Sequence, residues 1–234
     1  MFDCQENHFP LRTIRSFVKR KGRVSASARH ALTHYASQGC LLFQESPYDF
    51  ETVFENSHPV TLEIGFGMGD SLLTLAKTHP EENFVGIEVH EAGLGNVLKE
   101  IHDKELKNLR LISYDAVDVL THCIGQESLH RVLLFFPDPW PKKRHHKRRL
   151  VQPSFVDLLS KKLKPQGIFH VATDWQPYAE HVLEVMAQCS SFESIIPETA
   201  YHSNPFHRPP SHYEQRGIRL GHKIWDLGFM RGGS

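Results

Sequence analysis

The sequence predicts a doubly wound, Rossmann-like α/β domain, mostly parallel, with an antiparallel edge at its C-terminal end. Three observations predict it. Short β-branched or aromatic runs alternate with helical stripes from about residue 57 onward. A glycine-rich turn follows the first of these runs. The last two runs have no clear helical pattern between them.

Taken in order, residues 61–66, 84–89, 109–114, 131–136 and 168–173 are short apolar runs of the kind buried on both faces of a parallel sheet. Leu94, Val97, Leu98 and Ile101 fall at i, i+3, i+4 and i+7 of a helix. Phe155, Leu158, Leu159 and Leu163 form a second stripe, with Pro153 in its first turn and Gly167 beyond its end. Tyr178, Val182, Val185, Met186 and Cys189 form a third. Right-handed crossovers then put helices on both faces of the sheet. Residues 192–196 and 222–230 are the candidates for the antiparallel edge, and the proline-rich polar loop 201–216 is long enough to be functional.

The chain of 234 residues divides into a basic N-terminal arm and lead-in, 1–56, and an α/β domain, 57–234. Lys plus Arg and Asp plus Glu both number 27, yet the charge is segregated. No acid occurs between Asn7 and Gln44, a stretch that holds Arg12, Arg15, Lys19, Arg20, Lys21, Arg23 and Arg29. No apolar run is long enough to cross a bilayer, and the charged start lacks a secretory pattern, so a cytoplasmic protein with no membrane association is expected. Cys4, Cys40, Cys123 and Cys189 form no CxxC pair and no Cys/His group has ligand spacing, so reduced thiols and no metal are expected.

The turn Glu63-Ile-Gly65-Phe-Gly67-Met-Gly69-Asp70 lies where the first strand passes into its helix, beside the crevice where doubly wound sheets bind ligands. A dinucleotide fingerprint wants glycine where Asp70 stands. Glu63 would repel a pyrophosphate but suits the ammonium and sulfonium groups of S-adenosylmethionine. Glu88 closes the second strand, where it can accept from ribose hydroxyls, and Asp115 follows the third, where it can accept from an adenine amino group. One acid at a strand end is ordinarily just solvated. Three around one crevice point to the methyl donor.

The fourth strand ends in Phe135-Phe-Pro-Asp138-Pro-Trp140-Pro, a loop stiffened by prolines on both sides of a carboxylate. It is the candidate reaction centre, since it resembles the strand-end Asp/Asn-Pro-Pro-aromatic motif of amino-methylating enzymes. The basic run Lys142 to Arg149 follows directly, which turns an otherwise unremarkable charged face into a candidate phosphate contact. Lys143, Arg144, Lys147, Arg148 and Arg149 are the residues expected to touch RNA.

The segments EIGFGMGD, GIEVH, FFPDPWPKKRHHKRRLV, ATDW and YEQRGIRLGHKIWDL, with IRSFVKRKGRV near the start, resemble the bacterial tRNA (guanine-N7-)-methyltransferase family, TrmB, in order over nearly the whole chain. The resemblance implies a class I methyltransferase sheet, S-adenosylmethionine as cofactor, tRNA as partner, and guanine(46)-N7 of the variable loop as target. It assigns Glu63, Glu88, Asp115 and Asp138 to the cofactor pocket alongside Gly65, Gly67 and Gly69, with Asp138 as the catalytic residue. Lys142 and Asp174 match its substrate-contacting lysine and aspartate, and Ser211, His212, Tyr213 and Glu214 match its Thr-Lys-Phe-Glu segment, with histidine in place of lysine. Glu214 is expected at a guanine edge. Two rivals stand beside this reading. A protein or small-molecule methyltransferase fits the basic run poorly, and a non-catalytic RNA-binding subunit fits the full set of acids poorly. Monomer and homodimer both remain open.

Overall fold

The computed structural model describes residues 15–17, 23–210 and 212–233, without the side chains of 212, 213 and 216. Arg12, Lys19, Arg20 and Lys21 of the expected arm lie outside the described residues. Chain order runs α1 (Ala26–His34), α2 (Ala36–Gly39), β1 (Cys40–Leu41), α3 (Phe50–Phe54), β2 (Val60–Ile64), α4 (Asp70–Thr78), β3 (Asn83–Ile87) and α5 (Glu91–Asp103). It continues through β4 (Leu109–Ile112), α6 (Ala116–Asp118), β5 (Leu129–Phe135), α7 (Pro153–Lys162), β6 (Leu163–Thr173), α8 (Gln176–Ala187), β7 (Phe192–Ser194), α9 (His212–Arg219) and β8 (Trp225–Arg231). The described strands form one sheet in the order β1-β4-β3-β2-β5-β6-β8-β7.

The chain moves outward from β2 through β3 to β4, then returns to the other side of β2 as β5. All pairings from β1 to β6 are parallel, whereas β6–β8 and β7–β8 are antiparallel. The antiparallel C-terminal edge thus has the expected members. The doubly wound order opens a crevice beyond the carboxyl ends of the central strands.

Strand side chains alternate between two apolar layers, as a pleat of period two requires. Val132 and Leu134 of β5 face a core shared with α7 and α8, while Leu133 and Phe135 face a core shared with α4 and α5. Pro153 opens α7 at its first turn. Gly167 does not end that helix directly. It lies within β6, where the register with β5 jumps from Leu129↔Leu163 to Arg131↔Ile168.

Residues 26–54 join the same body. Ser25 caps α1 through its side chain, and the small residues Ala28 and Ala31 are buried against α5. A Cβ at Gly95 would stand 2.4 Å from the Ala28 carbonyl oxygen, so only glycine lets the two backbones approach this closely. β1 adds a parallel edge strand beside β4 through Cys40↔Leu111 and Leu41↔Ile112. Among the described residues no helix is long and apolar enough to cross a membrane, and no group of three or more His, Cys, Asp or Glu could hold a metal ion.

Candidate active site

Five acids stand at the carboxyl ends of five neighbouring parallel strands. Glu63 is the penultimate residue of β2, Glu88 follows β3, Asp115 follows β4, Asp138 follows β5 and Asp174 follows β6. The parallel pairing therefore gathers at one end of the sheet residues that lie far apart in the chain.

Glu63 is 2% exposed, and its Oε2 finds no hydrogen-bond partner among the described residues. Burial, with Asp70 and Glu88 nearby, pushes its carboxyl up to about 8. A buried acid without its full set of partners is costly, and a cationic group in the crevice would supply one. Gly65, Gly67 and Gly69 have φ of +72°, +57° and +88°, and the space beside Gly65 is open where a Cβ would be. Glu88 holds this loop in place. Its Oε2 accepts from the Gly67 N–H at 2.9 Å, and its Oε1 accepts from the Val89 and His90 N–H groups at 2.7 and 3.0 Å. Three of about four acceptor positions are thus engaged by backbone. Asp115 is 1% exposed and caps α6, with Oδ1 accepting from the Val117 N–H at 2.9 Å. An open loop, a buried carboxylate with one oxygen left without a partner and two further acids at strand ends fit a cofactor bearing a cation and hydroxyl donors.

Asp138 is exposed on the turn after β5. Phe136 and Trp140, on either side of it, have φ of +49° and +44°, a conformation that non-glycine residues adopt only where their surroundings enforce it. The enforcing contacts are visible. The Trp140 indole N–H donates to the Ser16 carbonyl at 3.1 Å, bringing the segment 15–17 onto the turn.

The basic run Lys143–Arg148 is a 3₁₀ helix. Three residues per turn eclipse side chains at i and i+3, which sorts the run into rows. His145 and Arg148 both pack on Trp140, at 5.8 and 5.0 Å from its ring. Arg144 and Lys147 form an exposed row, and Lys142 and Lys143 are exposed beside it. His146 and Arg149 form the inward row, 3.1 Å apart.

Arg149 therefore departs from the expected RNA set. It is 4% exposed, donates Nε–H to the Pro139 carbonyl at 3.0 Å and reaches the Pro177 carbonyl at 3.5 Å. Its guanidinium also lies 5.5 Å from the Tyr178 ring. Buried and bonded in this way, it braces the Asp138 turn against α8 and is turned away from solvent phosphate.

Glu214 also differs from expectation. It is 7% exposed, and Arg208 donates to both its oxygens, from NH1 at 2.6 Å and NH2 at 2.9 Å. Arg208 is itself buried, bonds both oxygens of Asp226, and lies 5.6 and 5.3 Å from the rings of Phe135 and Phe136. His170 completes the network at 2.8 Å from Asp226 Oδ1. Burial pushes the His170 pKa down, which favours the neutral ring. For Asp226 burial acts upward, but hydrogen bonds from His170 and Arg208 outweigh it and hold the carboxyl low. The edge of Glu214 that guanine donors would use is filled by Arg208. Sequence reasoning missed Arg208, Asp226 and His170.

Asp174 accepts from the His222 ring at 3.1 Å, and both are partly exposed. They border a cavity of about 250 Å³ that also includes Trp175 and Trp225. A larger groove of about 450 Å³, lined by Lys77, Pro80, Lys107 and Asn108, lies toward the amino ends of β3 and β4, away from the five acids. Ser211 lies outside the described residues, as do the side chains of His212 and Tyr213.

Residues 57–227 match the family model described as "Putative methyltransferase". A tRNA (guanine-N(7)-)-methyltransferase of Cronobacter sakazakii is 52% identical over 229 residues, covering 98% of this chain and 96% of that protein. The chain belongs to the tRNA (guanine-N(7)-)-methyltransferase family. Members from Salmonella choleraesuis and Escherichia coli are each 51% identical with the same coverage.

Solved structures support the fold at much lower identity. The 16S rRNA methyltransferase KamB gives a TM-score of 0.56 at 14% identity, covering 82% of this chain and 96% of that one. The aminoglycoside resistance methyltransferase NpmB1 gives 0.55 at 16%, covering 81% and 95%. The [4+2]-cyclase SpnF gives 0.53 at 12%, covering 88% and 93%. A cyclase among these neighbours illustrates that the sheet alone does not define the chemistry.

Proposed function

We propose that this protein transfers a methyl group from S-adenosylmethionine to N7 of a variable-loop guanine in tRNA. The observation that carries this reading is the Asp138-Pro139-Trp140 turn, which leaves β5 at the acid-lined end of the sheet and runs directly into the helix that exposes Arg144 and Lys147. Family membership at 52% identity over nearly the whole chain supports it.

In this reading Glu63 faces the donor's ammonium group, while Glu88 and Asp115 face its ribose and adenine. When bound, the donor supplies an electrophilic methyl group. Guanine N7 carries an in-plane lone pair and needs no prior deprotonation. The protein's task is alignment, worth up to roughly 7–11 kcal/mol in favourable systems, together with placement of charge. Methylation leaves the purine cationic, so a carboxylate at Asp138 stabilises the transition state more than the ground state. Asp174 accepts from guanine's N1–H and N2–H₂ donors. Lys142, Lys143, Arg144, Lys147 and Arg148 contact phosphates. Ser211, His212 and Tyr213, which lie in the sequence between Arg208 and Glu214, contact the substrate.

The test is transfer of labelled methyl from S-adenosylmethionine to an unmodified tRNA transcript by the purified protein. Incorporation into tRNA, with none into total protein, supports the reading. Failure to label tRNA under conditions where the donor binds would overturn it.

A further inference from the structure

We infer that the cavity between Trp175 and Trp225 is a stacking slot for the single purine that is methylated, with His222 positioning Asp174 at its end. The inference rests on the proposed function and adds the residues that hold the base.

Trp175 is 38% exposed, and few large apolar side chains among the described residues are as open. Trp225 pairs in register with Thr173, so its backbone lies at the same end of the sheet as Asp174. The Trp225 ring is steadied by His202 at 4.5 Å, in an edge-to-face arrangement. The cavity bordered by the two indoles, at about 250 Å³, is smaller than the roughly 300–1,000 Å³ typical of pockets for drug-sized ligands. That size suits one nucleobase. A polar group stands where the base needs one, since Asp174 lines the cavity and can face guanine's donor edge.

The slot is also tied to the reaction turn. Arg149 bonds the carbonyls of both Pro139, next to Asp138, and Pro177, which lines the slot. In the sheet, Phe135 pairs with Ala172, so the segments carrying Asp138 and Asp174 leave adjacent strands side by side. Enzymes that act on a base within structured nucleic acid withdraw it from its stack and replace that stacking with aromatic side chains. His222 donates from Nδ1 to Oδ2 of Asp174 at 3.1 Å, leaving Oδ1 to accept from the base. It touches the carboxylate and acts through it, so it is a positioning residue.

The experiment compares intrinsic tryptophan emission on titration with two tRNAs, one intact and one abasic at the variable-loop guanine. Base-dependent quenching is expected with the intact tRNA only, and it should vanish in Trp175→Phe/Trp225→Phe. Methyl transfer supplies a second reading. Trp175→Ala should lower kcat/KM for tRNA by roughly tenfold to hundredfold, as alanine does at base-stacking positions, with S-adenosylmethionine affinity unchanged. Trp175→Phe should recover most of the loss. His222→Ala should raise KM, and His222→Asn, which keeps a donor, should restore it. Equal quenching by the two tRNAs would overturn the slot, as would undiminished kcat/KM in Trp175→Ala. Should base-dependent quenching occur while the methyl appears on an atom other than N7, the slot stands and the proposed function falls.

Discussion

Arg149 donates its Nε–H to the carbonyl of Pro139, 3.0 Å away, and so fixes the backbone beside Asp138. A residue in a run of cations thereby becomes a brace, and it should behave unlike its neighbours. Arg149→Ala should cost about 2–3 kcal/mol of stability, since it removes a buried side chain and strips two part-buried carbonyls of a charged donor. Replacing Lys143, Arg144, Lys147 and Arg148 together should leave stability nearly unchanged. It should instead flatten the salt dependence of tRNA binding, by about 0.7–0.9 in the log–log slope for each phosphate no longer neutralised. Denaturant melts and filter binding across a salt series check both halves. An unaltered slope in the quadruple variant would return these cations to the role of a solvated face.

Glu63 should make the protein's response to its cofactor depend on pH. Its carboxyl is raised from the ordinary 4.5 to about 8 by burial first and by Asp70 and Glu88 second. The folded value lies above the unfolded one. The associated stability is therefore complete below about 4.5 and is lost as pH rises through about 8. A ligand ammonium beside the carboxylate reverses that loss and releases a proton. The melting temperature without ligand should fall across this window relative to Glu63→Gln, and the stabilisation by S-adenosylmethionine should grow. Melts at several pH values with and without the donor test this. A difference between wild type and variant that stays flat with pH would show that Glu63 does not titrate there.

Glu88→Ala should weaken S-adenosylmethionine binding several-fold or more, because the variant loses a charged acceptor and also frees the Gly67 N–H that it holds. Glu88→Gln keeps one acceptor oxygen and should lose less. Calorimetry on the folded variants measures both, and wild-type affinity in Glu88→Ala would remove the residue from the pocket.

The strand-end acids were legible because each sits at or just beyond the end of an apolar run, a local pattern that the parallel sheet then gathers. The antiparallel edge was legible because 192–196 and 222–230 show no clear helical pattern between them; a helix does lie there, α9, but its sequence HYEQRGIR is too polar to leave an apolar stripe, and β8 begins only at Trp225. The edge strand Cys40–Leu41 was not, since two residues carry no periodicity and their pairing with β4 is made by backbone. Helix α1 buries alanines, so it shows no stripe of large apolar residues. Arg149 looked like its neighbours because only the period of three in a 3₁₀ helix turns it inward. Arg208 had no local signal at all. Its partner Glu214 is six residues away and Asp226 eighteen, and the loop joins them only once the sheet has formed.

Asp138→Ala should separate chemistry from binding. Its interaction grows as charge develops on the purine, so single-turnover methyl transfer should fall roughly hundredfold or more. The tRNA dissociation constant should move only a few-fold. Equal losses in rate and affinity would make Asp138 a binding residue.

The atom that receives the methyl group can be read from the RNA itself. N7-methylguanine is cationic, and reduction followed by aniline cleaves the RNA chain at that nucleotide. End-labelled unmodified tRNA incubated with the protein and S-adenosylmethionine should give one dominant cleavage, at the variable-loop guanine. Omitting the donor, or changing that guanine to adenine, should abolish it. Methyl-labelled tRNA that resists cleavage, or that breaks at a guanine elsewhere, would contradict the assignment.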